Sequence, residues 1–237
     1  MSKRTAPLPD WELVLSSAAR LQSILPDAVL VGGTASAIHA GHRFSQDADH
    51  VLTDLRNRFD ETLSLLESVA GWKTARIQRP VQILGSLDSI ETGVRQLIRK
   101  EPLETEVLDC NGARITVPTL GEILRIKGVL ILKRNATRDY IDFVALADHM
   151  GNERVAASMQ SFDRLYLQDS GESPLQQLHV QLANPLPYDL EETNLSEYKN
   201  LDTRWHDWQT VKSVCKRLTT AIFDILCVME SHHNQVA

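Results

Sequence analysis

The chain has few cysteines and no long apolar run, and both absences narrow its class. Its 237 residues include three cysteines, Cys110, Cys215 and Cys227, without any Cys-x-x-Cys spacing, so neither a disulfide framework nor a zinc site is indicated. The longest apolar runs fall far short of the roughly 18 residues that a membrane span needs. The basic N-terminus runs into prolines without an apolar segment, which argues against a signal peptide. We therefore expect a cytoplasmic protein with no membrane partner.

Positive charge is also scarce. The formal net charge is −6, whereas a nucleic-acid binder that works by bulk electrostatics is usually basic. Any contact with RNA must therefore be local. Two sets of cations are candidates for such a contact, and a solvated helix face is the alternative for both. The first set is Arg95, Arg99 and Lys100, and the second is Arg125, Lys127, Lys133, Arg134 and Arg138.

A glycine turn follows an early apolar run. Residues 28–31 are apolar and end at Gly32 and Gly33, the pattern of a buried strand that leads into a turn. We predict that Thr34 caps a helix over residues 35–40. Backbone N–H groups at such a turn can approach phosphate without interference from a Cβ atom, and the helix N-terminus favours anions. No third glycine follows at the spacing of the Rossmann dinucleotide fingerprint, so that fold is not indicated.

Two carboxylates follow this turn. Asp47 and Asp49 alternate, and in a strand they would share one face with Cα atoms roughly 6.5 Å apart. Mg²⁺ usually binds one or two carboxylates together with substrate phosphates, and nucleotidyl transfer needs the triphosphate charge to be neutralised. Ser45 is close enough in sequence to contact phosphate, although a serine in a polar loop needs no function. Taken singly, the turn and the carboxylates fit an ordinary turn and a solvated strand edge; together they favour a nucleoside-triphosphate and metal site.

Two blocks of motifs resemble a known family, and the resemblance covers roughly residues 28–150. The first block consists of Gly32-Gly33-Thr34, residues 41–45 and Asp47-Ala48-Asp49; the second consists of residues 120–127, Lys133-Arg134 and residues 138–143. Together they resemble the AbiEii/AbiGii-type nucleotidyltransferase toxins, within the DNA polymerase β-like nucleotidyltransferase superfamily.

The resemblance implies a Mg²⁺-dependent enzyme that transfers a nucleotide from an NTP to a hydroxyl, with tRNA as the expected acceptor. It also implies the toxin of a toxin–antitoxin or phage-defence pair, with a cognate antitoxin as partner. One alternative is an enzyme that modifies a protein hydroxyl, and another is a nucleotide-binding regulatory protein without turnover. In this assignment Asp47 and Asp49 bind the metal, and the residues that position the triphosphate are Gly32, Gly33, Thr34 and Ser45.

The second block supplies two further site residues. Lys127 would offset phosphate charge, and a lysine that snorkels to water is the alternative. Asp142 would face the active site as an orienting acid, and a local ion pair with Arg138 is the alternative. Glu104 and Glu106 share a strand face and are candidates for a third carboxylate at the metal, although neither lies in a motif that matches the family.

The predicted fold is α+β. An α/β nucleotidyltransferase core with a small mixed sheet occupies residues 1–117, and a helical C-terminal region occupies residues 118–237. Within the core, Asn111-Gly112 predicts a hairpin, and residues 88–99 are expected to form a helix. Beyond it, Thr119-x-x-Glu122 predicts a capping box at the start of a helix. The last predicted helix contains apolar residues from Trp205 to Val228 that fit helix packing.

Overall fold

A computed structural model describes residues 10–236, with side chains described up to residue 227. The predictions about the N-terminal segment and about the side chain of Val228 lie outside the described residues. The chain divides into two compact units. Unit 1 contains the residues up to Ile38 together with Phe44–Pro118, and unit 2 contains His39–Arg43 together with the residues from Thr119 onward. The domain boundary expected between residues 117 and 118 stays a prediction; the two units meet between Pro118 and Thr119, and unit 2 also includes His39–Arg43.

Unit 1 is built on a five-stranded mixed sheet with the strand order β1-β2-β5-β4-β3. Strands β2 and β5 are parallel, and the other neighbouring strands are antiparallel. This confirms the predicted small mixed sheet. The elements in chain order are α1 (Trp11–Ile24), β1 (Val29–Leu30), α2 (Gly32–Ala40), β2 (Asp47–Leu52), α3 (Phe59–Ser68), β3 (Trp72–Gln78), β4 (Gln82–Leu87), β5 (Ile90–Gln96), β6 (Thr105–Cys110) and β7 (Ala113–Pro118).

One face of this sheet is apolar and packs on helices. Alternate residues of β2 are buried, whereas Asp47 and Asp49 lie among the partly exposed residues between them. The alternation follows from the two-residue period of a strand. As a result, the two carboxylates lie on the face of the sheet opposite the core. The buried face contributes Leu52, Ile83, Leu87 and Val94 to a cluster that includes Leu21 and Leu25 of α1 and Leu63 and Leu66 of α3.

The helix expected over residues 88–99 is wrong. Asp88 and Ser89 have φ angles of 51° and 69°, and two consecutive positive φ values are typical of the tight turn of a β-hairpin. The chain then continues as β5, in which Gly93 lies in the middle of the sheet. A Cβ atom on Gly93 would lie 2.5 Å from the carbonyl oxygen of Ile83, so this strand needs glycine where two backbones approach closely.

The predicted hairpin after β6 is confirmed. Asn111 and Gly112 have φ angles of 55° and 85°, and Cys110 pairs with Ala113 on either side of them. Strands β6 and β7 form a separate two-stranded sheet. The Gln22 side chain of α1 donates to and accepts from the backbone of Thr116 at 2.8 Å, which fixes this hairpin to the helix.

Unit 2 is helical, as predicted. The predicted capping box is confirmed at its N-cap, because the Thr119 hydroxyl accepts a hydrogen bond from the N–H of Glu122 at 3.3 Å. At the start of the helix Thr137–Met150, the carboxylate of Asp189 accepts hydrogen bonds from both the N–H and the hydroxyl of Thr137 at 2.7 Å. The helices of this unit are α4 (Leu120–Arg134), α5 (Thr137–Met150), α6 (Asn152–Met159), α7 (Phe162–Leu165), α8 (Pro174–Ala183) and α9 (Trp208–Val236).

Candidate active site

The glycine turn in unit 1 lies against the second of the two predicted metal carboxylates. Gly32 has a φ of 74°, and a Cβ atom there would lie 3.8 Å from Cβ and 3.9 Å from Oδ2 of Asp49. The N–H of Val31 donates to the carbonyl oxygen of Asp49 at 2.8 Å. The carboxylates on β2 and the N-terminus of α2, which begins at Gly32, therefore border the same space. A helix N-terminus favours anions and a carboxylate favours cations, so a metal-bound triphosphate fits both groups.

Two hydroxyls expected to position the triphosphate instead contact Asp47 in this structure. The Ser45 hydroxyl donates to Oδ1 of Asp47 at 2.8 Å, and the Thr34 hydroxyl donates to the Asp47 carbonyl oxygen. Thr34 is fully buried. Its predicted role as a helix cap is wrong, because α2 already begins at Gly32. The observed contacts orient the carboxylate of Asp47 and brace its backbone against α2, and a phosphate contact for either hydroxyl stays a prediction.

Arg95 is the cation of β5 that lies beside the carboxylate pair. Its Nη2 atom is 3.7 Å from Oδ1 of Asp49, and the two side chains are 44% and 30% exposed. Arg99, a member of the same candidate cation set, donates to the carbonyl oxygens of Glu101 and Pro102 at 2.9 and 2.7 Å. The first cation set is therefore not a helix face: Arg95 belongs to the sheet, and Arg99 fixes a loop.

Neither candidate for a third carboxylate belongs to the sheet that contains β2. Glu106 is in β6 and Glu104 precedes that strand, and β6 pairs only with β7. Glu91 of β5 is instead in register with Asp47. Among residues 10–227, no group of three or more His, Cys, Asp or Glu side chains is arranged to hold a metal ion. Asp47 and Asp49 thus remain the candidate metal ligands.

Unit 2 contains a buried ion cluster centred on Asp142. Nζ of Lys127 lies 2.6 Å from its Oδ2, and Arg43 donates to both carboxylate oxygens, at 2.7 and 2.9 Å. Nε2 of His42 lies 2.8 Å from Oδ1 and donates when the carboxylate is ionised. Burial by itself would raise the pKa of Asp142, but the charges of Arg43 and Lys127 outweigh it and hold the pKa well below its ordinary value.

The structure contradicts a snorkelling Lys127 and a pair between Asp142 and Arg138, whereas the active-site roles of Lys127 and Asp142 stay predictions. Lys127 does not snorkel to water, because its side chain is 3% exposed and also lies 3.6 Å from Asp139. Asp142 does not pair with Arg138, since its partners are Arg43 and Lys127. Asp139 in turn accepts a hydrogen bond from Arg134 at 3.0 Å.

The family follows from a comparison with known proteins. The family model described as "Nucleotidyl transferase AbiEii toxin, Type IV TA system" matches residues 14–224. The chain belongs to this AbiEii family. This is a family of nucleotidyltransferases, and the predicted family, fold class and enzyme class are confirmed.

Three similar proteins illustrate the range of the comparison. The heme uptake protein MmpL11 of Mycobacterium tuberculosis (strain ATCC 25618 / H37Rv) is 30% identical over 245 residues, which cover 92% of this chain and 23% of that protein. This AbiEii-family chain thus spans less than a quarter of the length of that relative. Among residues 10–236, no helix combines the length and the apolar character needed to cross a membrane.

The other two are solved structures. ANT(2″)-Ia in complex with adenylyl-2″-tobramycin has a TM-score of 0.49 and 11% identity, and the match covers 65% of this chain and 98% of that one. An antigenic nucleotidyltransferase-like protein from Paracoccidioides brasiliensis has a TM-score of 0.49 and 19% identity, with coverage of 85% and 99%.

His42 and Arg43 are the cluster members that the sequence did not reveal. Neither was predicted to be a site residue, although both lie in a family-like motif at residues 41–45. The backbone of His42 accepts a hydrogen bond from the N–H of Asp202 at 2.8 Å, and the Arg43 guanidinium lies 5.8 Å from the centre of the Tyr198 ring. The motif was the only available signal, because their partner Asp142 is 100 and 99 positions away in the chain.

The members of the second cation set, like those of the first, lie in different surroundings. Arg125 is buried, with its guanidinium 2.9 Å from Glu122 and 3.0 Å from the carbonyl oxygen of Ser158, so the expectation that it contacts RNA is wrong. Lys133 and Arg138 are exposed. These two are the members of the set that remain available to an anionic ligand without breaking a described ion pair.

Proposed function

We propose that this AbiEii-family enzyme transfers a nucleotidyl group from an NTP to a hydroxyl of tRNA in a Mg²⁺-dependent reaction. The observation that carries the proposal is the pair Asp47 and Asp49 on one face of β2, with the Gly32 turn beside it. In the reaction, the acceptor oxygen bonds to the α-phosphorus as the bond to the β-phosphate oxygen breaks. Pyrophosphate leaves, and the acceptor hydroxyl gives up its proton.

The donor set of this pair fits Mg²⁺. Both ligands are carboxylates, the chemistry that Mg²⁺ prefers, and two such groups are the usual protein contribution when substrate phosphates supply the rest. Ser45 orients Asp47 by its hydrogen bond at 2.8 Å, as a supporting residue does for a metal ligand. Bound Mg²⁺ would supply charge neutralisation for the triphosphate and for the leaving pyrophosphate.

The family resemblance assigns Lys127 of the buried ion cluster a role towards the triphosphate. The three cations of the cluster, Lys127, Arg43 and Arg134, outnumber the two carboxylates, Asp139 and Asp142, by one. The excess charge is that of Arg134, whose side chain is 39% exposed, whereas the buried cations Lys127 and Arg43 are balanced by the two carboxylates. Lys127 would offset the phosphate charge, and Asp142 would fix the position of its ammonium.

The toxin role and the antitoxin partner are proposals that the family supports. An enzyme that transfers nucleotides to a protein hydroxyl, or a nucleotide-binding regulatory protein, would use the same carboxylates and helix N-terminus. The acceptor therefore has to be found by experiment, and a cytoplasmic location stays a prediction.

The deciding experiment supplies the protein with each α-labelled NTP, Mg²⁺, and either purified tRNA or protein extract. We expect tRNA to become labelled, and we expect no labelling when EDTA is present during the reaction. Label on protein alone would mean that the acceptor is a protein hydroxyl and not tRNA. Label on neither acceptor, by a protein that still binds NTP, would support the regulatory alternative.

A matched pair of variants makes this experiment specific. Asp49→Asn should abolish labelling, whereas Asp27→Asn should retain it, because Asp27 is an unrelated carboxylate of the same unit that is 77% exposed. Equal labelling by both variants would refute the assignment of Asp49 as a metal ligand.

A further inference from the structure

The face of the sheet that bears the two carboxylates also bears an ordered set of polar residues. Residues in register on neighbouring strands point to the same face, so β2, β5, β4 and β3 together form rows of side chains across it. The rows are Asp47, Glu91, Ser86 and Lys73; then Asp49, Gly93, Leu84 and Arg76; then Val51, Arg95, Gln82 and Gln78.

A bulge in β3 brings two cations to this face. Lys73 and Arg76 are three positions apart, so in a regular strand they would point to opposite faces. The register of β3 shifts between Thr74 and Arg76, so that Lys73 pairs with Ser86 and Arg76 pairs with Leu84 on the same side. Bulges re-aim side chains in this way. The local irregularity therefore adds positive charge to the face that bears the carboxylates.

Three cations on this face form what we call the sheet-face cations: Lys73, Arg76 and Arg95. All are exposed. Arg95 lies 3.7 Å from Asp49, whereas Lys73 and Arg76 make no ion pair with any residue in the part of the chain that the structure describes. Strands are about 4.8 Å apart, so Arg76, three strands away from Asp49, is about 14 Å from it across the sheet. Positive charge thus extends outward from the carboxylates.

We propose that the sheet-face cations bind the backbone phosphates of an RNA strand whose terminal hydroxyl is the acceptor. This inference rests on the proposed nucleotidyl transfer and adds the surface that holds the acceptor. Charge complementarity favours RNA, because a strand presents one phosphate per nucleotide and the three cations are distributed over β3 and β5 on one face of the sheet. A protein partner is disfavoured, since protein interfaces have an apolar, aromatic-rich core and the apolar residues of the rows are only Leu84 and Val51.

The test compares two double variants in the labelling assay and in an RNA-binding assay. Lys73→Glu with Arg76→Glu reverses two sheet-face cations, and Arg154→Glu with Lys216→Glu reverses two exposed cations on α6 and α9. We expect the first variant to raise the KM for tRNA about tenfold or more, with kcat and the KM for NTP nearly unchanged. The control variant should match the wild type.

Salt dependence gives a second measure of the same contacts. The slope of log Kd against log salt, from fluorescence anisotropy of labelled RNA, should become shallower by about 1.4 in the first variant, because each lost phosphate contact on a single strand removes about 0.7. Thermal unfolding of the first variant should match the wild type. The milder pair Lys73→Ala with Arg76→Ala should show the same trend.

The outcomes separate this inference from the proposed function. Equal KM, Kd and salt slope in both double variants would overturn the RNA surface, even if the wild type labels tRNA. Weaker RNA binding by the first variant, in an enzyme that labels nothing, would retain the surface and refute the transfer. If the acceptor is a protein and the first variant no longer labels it, this face is a protein-docking surface, and its assignment to RNA is overturned.

Discussion

The acidic groups of the two units lie in opposite surroundings. In unit 1, Asp49 is 30% exposed and its ion pair with Arg95 is 3.7 Å long. In unit 2, Asp142 is fully buried and is held at 2.6 to 2.9 Å by Lys127, Arg43 and His42. Exposed pairs contribute little to stability because water and salt screen them, whereas breaking a buried pair leaves a charge that nothing compensates. The first arrangement keeps a carboxylate partly exposed to solvent, and the second fixes side chains in place.

Removing a carboxylate from unit 1 should affect activity and leave stability almost unchanged. We expect Asp47→Asn and Asp49→Asn to lower nucleotide transfer by about 10³-fold or more, because a bound metal ion supplies several kcal/mol of charge stabilisation. The free energy of unfolding should change by no more than about 0.5 kcal/mol. Initial rates and urea titrations measure the two quantities. A large loss of stability in both variants would show that these carboxylates are structural.

Removing the carboxylate of Asp142 should, in contrast, mainly affect stability. Asp142→Asn leaves Arg43 and Lys127 buried without their main partner, which should reduce the free energy of unfolding by about 3 to 5 kcal/mol. The matched change in unit 1, Arg95→Gln, should reduce it by about 1 kcal/mol or less. Urea titrations of both variants test the contrast. Equal small losses would mean that the buried cluster contributes no more than the exposed pair.

Lowering the pH should destabilise unit 1 before it destabilises unit 2. Burial lowers the pKa of His50 on β2 from 6.5 to about 4, against the effect of hydrogen bonds to the backbone of Ala48 and Ala18. The unfolded state binds more protons than the folded state between these values, so stability falls as pH falls from 6.5 and has lost about 3 kcal/mol near pH 4. The pKa of Asp142 is lowered instead, so its contribution is lost only as pH falls below about 4.

Hydrogen exchange can follow each unit during this titration. Amides of β5 should lose protection between pH 6.5 and pH 4, after correction for the intrinsic exchange rate, before those of α5 do. In His50→Gln the loss in β5 over this range should be reduced. If the wild type and the variant show the same pH dependence, the buried imidazole is not the cause.

The smallest expected effect lies in the segment that precedes α9. Asp189 accepts the first N–H of α5 from outside the helix, so Asp189→Ala should reduce the stability of unit 2 by about 1 kcal/mol, the usual cost of a lost cap. Asp169→Ala, an exposed acid outside any described ion pair, serves as the control. Urea titration measures the stability of both variants. If the two are equally stable, Asp189 does not cap α5.

Short-range patterns predicted the features that depend on adjacent residues. The alternation at Asp47 and Asp49 predicted a shared face, and Asn111-Gly112 predicted the turn between β6 and β7, because strand period and turn geometry are local properties. The helix expected over residues 88–99 was wrong because a central strand depends on its neighbours in the sheet: Gly93 is tolerated there since the backbone of β4 fills the space.

The sequence by itself determined the family, the α+β class and the shared strand face of Asp47 and Asp49. Each of these depends on motifs or on a period of a few residues. Only the tertiary structure decided that Asp142 is joined to His42 and Arg43 across about a hundred positions, and that Lys73, Arg76 and Arg95 share a sheet face with the carboxylates. Ion-pair partners and strand register are set by packing between distant segments, where many pairings of charged residues are compatible with one sequence and only the fold selects among them.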